Sequence, residues 1–260
     1  MRFAWLALLA FLATPALADT VFAPGGEGHV REVTDGATIT LTDDRVVHLV
    51  GIDVPTRAVA ARKAKDALNA LVADQTLTLT FAGTPQDRYG RIAAQVFVGT
   101  TWVQGELIRQ GVVRVRSVPD NRAGIEDMLK LERVARRYHR GLWADPAYAI
   151  VDAAAAERAA GTFALVTGTV TTVETRSSGT YIDFGATPRA GFALSMTPAV
   201  VKLCKAAGLD PASLAGKPLL VRGFIDGHLH PTMTITHPEQ IEILKTAKKK
   251  ARSLRPGPDQ

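Results

Sequence analysis

Four short motifs contain the residues of this chain whose types and spacing could do chemistry. In order they are Asp35-Gly36-Ala37-Thr38, His48-Leu49-Val50-Gly51-Ile52-Asp53-Val54-Pro55-Thr56, Asp87-Arg88-Tyr89-Gly90-Arg91 and Arg140-Gly141-Leu142-Trp143. Carboxylate oxygens are the ligands that hard cations prefer, and guanidinium groups form strong hydrogen bonds with carboxylate and phosphate oxygens. Asp53 and Arg91 are therefore candidates for a site that holds a cation or an anion.

The same motifs also have an interpretation that involves no chemistry. Gly51, Pro55 and Gly90 suit turns, and Asp87-Arg88-Tyr89-Gly90 is typical of a turn that enters a strand. Arg140-Gly141-Leu142-Trp143 is typical of a helix end with Gly141 as its C-cap. Each motif alone is a weak signal, so only their combination carries weight.

Taken in order, the motifs resemble those of the staphylococcal-nuclease-like (thermonuclease) family. That family carries Asp-Gly-Asp-Thr, then Arg-Leu-x-Gly-Ile-Asp-x-Pro-Glu, then Asp-Arg-Tyr-Gly-Arg, and a late Arg-Gly-Leu-Trp. The resemblance covers roughly residues 28 to 145. It implies phosphodiester hydrolysis, in which calcium binds the phosphate between carboxylates, a glutamate positions or deprotonates water, and two arginines neutralise the transition state.

Carried over residue by residue, the resemblance implies an incomplete site. Ala37 replaces an aspartate that binds calcium in the family, His48 replaces the first arginine, and Thr56 replaces the glutamate. The groups that remain are one carboxylate ligand, one outer-shell carboxylate and the second arginine: Asp53, Asp35 and Arg91. His48 is a partial substitute for arginine only when it is protonated.

The expected loss of activity is large. Loss of a general base costs about 10² to 10⁴ in rate, and loss of one charge-stabilising donor costs about 10² to 10³. A neutral Thr56 hydroxyl cannot act as a base near neutral pH, and one carboxylate holds calcium poorly. We therefore expect no cofactor, or at most weak calcium binding at Asp53 and Asp35.

Three functions remain open on these grounds. The first is a catalytically degenerate nuclease homologue that acts as a binding or scaffold module. The second is a calcium-dependent phosphodiesterase of weak or altered activity that uses Asp53, Arg91 and His48. The third is a protein-interaction module unrelated to nucleic acid.

The elements that must position these residues predict a mainly β fold with helices (α+β). Three strands, a helix with apolar residues at helical spacing (Ala64, Leu68, Leu71 and Val72), and two more strands give the order of an OB-fold barrel. The same order recurs after residue 161. The sequence thus predicts two OB-fold-like five-stranded β-barrels, the first with extra C-terminal helices.

These elements divide the 260 residues into five predicted parts. They are a signal peptide (1–18), a thermonuclease-like domain (19–145), a helical linker (146–161), an OB-fold-like domain (162–244) and a basic tail (245–260). The signal peptide is indicated by Arg2, an apolar run and an Ala-x-Ala site that ends at Ala18. It predicts export to the periplasm or outside the cell, with no membrane-spanning segment afterwards.

The positive charge of the chain is concentrated in the tail. The formal net charge of the chain is +6. The last sixteen residues contribute a net +5 and Arg2 contributes +1, so residues 19–244 have no net charge. The tail therefore predicts weak nucleic-acid binding through Lys248, Lys249, Lys250 and Arg252. Another exported protein is the alternative partner.

The predicted second domain offers weaker candidates. His228, His230 and His237 lie near Glu239, but they match no known metal-ligand spacing, so polar loop and strand residues are the preferred interpretation. The aromatic residues available for stacking on nucleic acid are Tyr181, Phe184, Phe192 and Phe224. Phe184 is expected in the core, which leaves Tyr181, next to an acidic residue, as the main exposed candidate, and a structural or protein-binding role is the alternative. Cys204 lies in a helix-like run and is predicted to be a core residue.

Overall fold

A closed five-stranded β-barrel forms the first half of the protein. The structure is a computed structural model that describes residues 22–185, 191–227 and 230–245. The elements of this half are β1 (Ala23–Asp35), β2 (Thr38–Leu41), β3 (Val46–Leu49), β4 (Ile52–Asp53), α1 (Ala58–Val72), β5 (Thr76–Phe81), β6 (Ile92–Val98), β7 (Thr101–Trp102), α2 (Val103–Gln110), β8 (Arg114–Val115) and α3 (Ile125–Arg137). The barrel runs β1–β2–β3–β6–β5 and back to β1, with β3–β6 as its parallel pair. The mixed α and β class and the barrel are thus confirmed for this half.

The barrel closes around an apolar core that the sequence pattern dictates. Alternate residues of β5, Leu77 and Leu79, point inward and are fully buried, as the two-residue period of a strand requires. Helix α1 buries Ala64, Leu68 and Val72, spaced four residues apart on one face. The packing of this face fixes the helix against the barrel next to the motif residues.

Close approach explains one glycine of the motifs. A Cβ atom on Gly36 would lie 2.8 Å from the Cβ of Ala64 and 3.0 Å from Cγ1 of Val54, distances that ordinary packing does not permit. The turn between β1 and β2 therefore contacts α1 directly. This contact sets the position of Asp35 and Ala37.

The interpretation of Gly141 as a helix C-cap is wrong. Helix α3 ends at Arg137, and Gly141 opens a 3-10 helix, Gly141–Ala144. A Cβ on Gly141 would lie 2.4 Å from the carbonyl oxygen of Gly111, whose φ is +73°. Gly141 is needed because two backbones cross there, next to the end of α2.

Two four-stranded sheets make up the second half. Its elements are β9 (Val151–Asp152), β10 (Phe163–Thr169), β11 (Thr172–Arg176), β12 (Gly179–Asp183), β13 (Ala193–Met196), α4 (Pro198–Ala206), β14 (Pro218–Phe224), β15 (Thr232–Thr234) and β16 (Ile241–Ile243). The sheet orders are β16–β14–β10–β9 and β11–β12–β13–β15. The OB-fold assignment for this half stays a prediction. Cys204 is buried in its core, as expected.

The segment predicted as a helical linker takes a different local form. It contains 3-10 helices at Pro146–Tyr148 and Ala153–Ala159, and between them β9, which pairs in parallel with β10. The segment is thus partly built into the second half. Among the described residues no helix is long and apolar enough to cross a bilayer.

A buried ionic network joins the two halves. Arg222 of β14 is 1% exposed, and its Nη1 lies 2.8 Å from Oε2 of Glu132, a fully buried residue of α3. Arg222 also pairs with Glu242 of β16, which in turn lies 3.3 Å from Arg136 of α3. Burial alone would raise the pKa of Glu242, but Arg222 and Arg136 outweigh it and lower that pKa. The halves are therefore held together by charges that have little access to water.

His237 lies buried at the same boundary. Its Nε2 is 2.6 Å from Oγ of Ser117, and its Nδ1 is 2.8 Å from Oγ1 of Thr236. Glu239 forms an ion pair with Arg122 at 2.7 Å. His237 and Glu239 thus serve contacts between the halves, and His228 lies outside the described residues.

We predict that Arg222→Met destabilises the protein by about 3 to 5 kcal/mol, because Glu132 is then left buried without its counter-charge. The free energy of unfolding in urea measures this. Lys205→Met, in an exposed pair with Asp210 at 3.6 Å, is the control and should cost no more than about 1 kcal/mol. Equal losses in both variants would contradict the buried network.

A second prediction concerns acid stability. Burial lowers the pKa of His237 from 6.5 to about 4, so below pH 6.5 the unfolded chain takes up a proton that the folded protein does not. The free energy of unfolding should therefore fall from pH 6.5 toward about 4. His237→Gln should reduce this slope by about 1 kcal/mol per pH unit, whereas His29→Gln, at an exposed site, serves as the control. An unchanged slope in His237→Gln would rule out this origin.

Candidate functional site

Two of the three positions that differ from the family, Ala37 and His48, are neighbours on the barrel. Ala37 is in the turn between β1 and β2, is 2% exposed and packs in the apolar core. His48 is in β3, directly across from Thr38 of β2. Thr56 is exposed and precedes α1. None of these side chains supplies a carboxylate.

His48 has an incompletely satisfied side chain. Within the described part of the chain, its Nδ1 and the Oγ1 of Thr38 are buried without a hydrogen-bond partner. Burial lowers the pKa of His48, and the nearby charges of Arg91 and Arg116 lower it further. His48 is thus neutral near pH 7 and is a poor substitute for arginine in this state.

The retained carboxylate of Asp53 is already paired. Arg114 of β8 lies directly across from Asp53 of β4, and its Nη2 donates to Oδ2 of Asp53 at 2.7 Å. Both side chains are 12% exposed. Nη2 of Arg114 also donates to the carbonyl oxygen of Phe163 at 3.2 Å. Burial raises the pKa of Asp53, although the charge of Arg114 opposes this change.

Arg91 is held in a turn next to β6. Its Nε donates to Oδ2 of Asp87 at 2.7 Å, and its guanidinium lies 5.3 Å from the ring centre of Tyr89. Burial alone would raise the pKa of Asp87, but hydrogen bonds from Arg91 and Tyr89 outweigh it and lower that pKa. The side chain of Arg91 remains 28% exposed.

The donor set does not fit a calcium ion. Calcium takes six to eight oxygen ligands. Ala37 offers no side-chain oxygen, Asp53 is paired with Arg114, and Oδ1 of Asp35 accepts the Ala37 amide at 2.7 Å. Across the described residues no group of three or more His, Cys, Asp or Glu side chains is arranged to hold a metal. The metal roles of Asp53 and Asp35 remain predictions that this geometry does not favour.

Two site residues were missed by the sequence analysis: Arg114 and Arg116. The amide of Arg116 donates to the carbonyl oxygen of Gly51 at 2.9 Å, which places it beside β4. The signal was the alternation Arg114-Val115-Arg116, in which the apolar Val115 lies in the core between two arginines. Arg114 belongs to β8, and Arg116 directly follows it. The two arginines lie near Asp53 because β4 pairs with β8, and these two strands are some sixty residues apart in sequence.

The predicted basic tail is not tested by this geometry. Lys248, Lys249, Lys250 and Arg252 lie outside the described residues, as does the predicted signal peptide. Their roles stay predictions. The described candidate site therefore consists of the barrel residues, Arg114 of β8 and Arg116.

Comparison with known proteins agrees with the geometry of the first half. Residues 46–145 match the family described as Staphylococcal nuclease homologue. The chain is 32% identical to Protein ParB of Escherichia coli over 153 residues, which cover 52% of this chain and 78% of that protein. It is 28% identical over 107 residues to a Thermonuclease of Staphylococcus intermedius, with 37% of this chain and 64% of that protein covered. A Thermonuclease of Staphylococcus hyicus is 23% identical over 126 residues, with 45% and 75% covered. The chain therefore belongs to the staphylococcal nuclease homologue family.

Proposed function

We propose that the protein is an exported, catalytically degenerate nuclease homologue that binds nucleic acid at the family's cleft without cleaving it. The observation that carries this proposal is the ion pair between Arg114 and Asp53. An arginine fixed at 2.7 Å neutralises the carboxylate that would otherwise face a divalent cation. Without that cation, the hydrolytic step lacks its main charge-stabilising group.

The base is also missing from the cleft. Thr56 stands where the family has its glutamate, and a neutral hydroxyl does not deprotonate water near neutral pH. His48 is the nearest titratable substitute, but its lowered pKa reflects burial and the positive charges of Arg91 and Arg116. These positive charges favour a bound phosphate more than they favour a base.

Anion binding is the capacity that remains. Arg91 and Arg116 both act electrostatically on His48, and Arg116 is exposed. Guanidinium groups bind phosphate oxygens without a metal. Because an export signal is predicted, we expect this binding to take place outside the cytoplasm. The positive charge of the predicted basic tail should strengthen it.

We expect no calcium-stimulated cleavage of DNA or RNA above the level of an Arg91→Ala variant, because base and cation are both missing. A labelled oligonucleotide should still bind, and Arg91→Ala should weaken binding roughly tenfold through loss of a charged contact. Gel-based nuclease assays and fluorescence anisotropy measure the two effects. Arg62→Ala, at an exposed position of α1, is the control and should leave both unchanged.

Two results would oppose this proposal in different ways. Calcium-dependent cleavage that disappears in Arg91→Ala would show a phosphodiesterase of altered activity. Binding that is insensitive to Arg91→Ala would show that the cleft is not the binding site.

A reversion experiment tests the role of Arg114. The changes Ala37→Asp, His48→Arg and Thr56→Glu restore the residue types of the family, but Asp53 would still be paired with Arg114. We expect that adding Arg114→Gln to these three raises calcium-dependent cleavage at least roughly tenfold over the triple variant, since one blocked charge contact is worth about 10² to 10³ in rate. Circular dichroism checks folding. Equal activity of the triple and quadruple variants would show that Arg114 does not compete with calcium.

A further inference from the structure

An exposed arginine–aromatic pair lies where the two halves meet. The guanidinium of Arg116 is 5.0 Å from the ring centre of Phe224, the last residue of β14. Phe224 is 47% exposed, although large apolar side chains are usually buried. Phe163, its partner across the β10–β14 ladder, packs edge-on against it at 5.8 Å. Phe224 is therefore held in place while much of its ring faces solvent.

The pair is connected to the cleft of the first half through β8. Arg114 of β8 and Arg116, which directly follows this strand, flank Val115. Arg114 binds Asp53 and also lies 5.0 Å from the ring centre of Phe163. Arg116 is close enough to Asp53 and His48 to influence both side chains. Phe163 and Phe224 of the second half thus lie next to two arginines of the candidate site, Arg114 and Arg116 respectively.

Among the described residues, the charge of Arg116 acts on Asp53 but has no ion-pair partner of its own. Across the described ranges, the salt bridges do not include Arg116. Arg91 and Arg114, in contrast, each have an aspartate partner. An exposed guanidinium stacked on an exposed aromatic ring offers a ligand both a positive charge and a flat apolar surface.

We infer that a single-stranded nucleic acid crosses from the cleft of the first half onto the second half, with a base stacked on the Arg116–Phe224 pair. Base stacking on aromatic rings or guanidinium planes is worth about 1 to 3 kcal/mol per base and needs no particular sequence. The inference rests on the proposed function, because it extends the bound strand beyond the same cleft.

The chemistry of the pair favours a single strand over a duplex. In a duplex the faces of the bases are stacked on one another, so that a lone exposed ring cannot reach them without unstacking. A protein ligand would not require a guanidinium next to the ring and to a phosphate-binding cleft. The second half therefore determines which form of nucleic acid binds.

The test uses the full-length protein and a labelled oligothymidylate of about 12 nucleotides, within the usual site size of such surfaces. Phe224→Ala should weaken its binding roughly 5- to 100-fold, as expected for loss of one stacked base. The matched control is Tyr138→Ala, which removes an exposed ring that also has an arginine, Arg140, at 5.5 Å. This control should bind like the unchanged protein, and thermal unfolding checks that both variants are folded.

Two further probes separate stacking from charge. Inorganic polyphosphate has charge but no bases, so Phe224→Ala should leave its affinity within about twofold, whereas Arg116→Gln should weaken both ligands and reduce the salt dependence of binding by about one ion. A background with Lys248, Lys249, Lys250 and Arg252 changed to glutamine keeps the tail from masking the effect.

The outcomes distinguish the two proposals. If Arg91→Ala weakens oligothymidylate binding but Phe224→Ala does not, even without the tail charges, the cleft binds nucleic acid and the inference is wrong. An equal loss for polyphosphate in Phe224→Ala would also overturn it, because stacking would not be the cause. If neither ligand binds the unchanged protein, the proposed function fails and the inference fails with it.

Discussion

The ion pair between Asp53 and Arg114 is the interaction on which the character of this protein depends. It joins β4 to β8 in the first half, and through Nη2 of Arg114 it also reaches the carbonyl oxygen of Phe163 in the second half. A buried carboxylate is costly unless it is paired, and here a guanidinium does what a metal ion does in a metal-dependent site. One residue, Arg114, thereby satisfies Asp53 and attaches the second half to the cleft.

The second half is joined to the first by further buried ionic contacts. Arg222 is buried against Glu132 and Glu242, so separating the halves would expose charges that are matched only in the assembled protein. The packing of the second half on the first also brings Phe163 next to Arg114 and Phe224 next to Arg116. This arrangement supports the proposal that the protein holds a charged polymer without cutting it.

The sequence predicted the parts of the structure that depend on local patterns. The apolar period of α1, the alternation in the barrel strands and the turn at Asp35-Gly36 all led to correct elements, because these features depend on neighbouring residues. The substitutions at Ala37, His48 and Thr56 were equally visible, since motif positions can be compared one by one.

Features that depend on distant contacts could not be predicted in this way. Gly141 resembled a helix cap, but the deciding contact is with Gly111, thirty residues earlier. Arg222 and Glu132 are charged residues in ordinary amphipathic patterns, and only the packing of β14 on α3 buries them. The partner of Asp53 was missed for the same reason, because strand pairing brings Arg114 to it.

The state of Asp53 during a calcium titration tests the central claim most directly. Nuclear magnetic resonance can follow the carboxyl carbon of Asp53 in the unchanged protein and in Arg114→Gln. If Arg114 replaces the cation, this signal should stay constant through about millimolar calcium in the unchanged protein, whereas in Arg114→Gln it should shift at about millimolar calcium, because the freed carboxylate then binds the ion weakly. A shift of the Asp53 signal at micromolar calcium in the unchanged protein would show that the carboxylate binds metal, and would contradict the account.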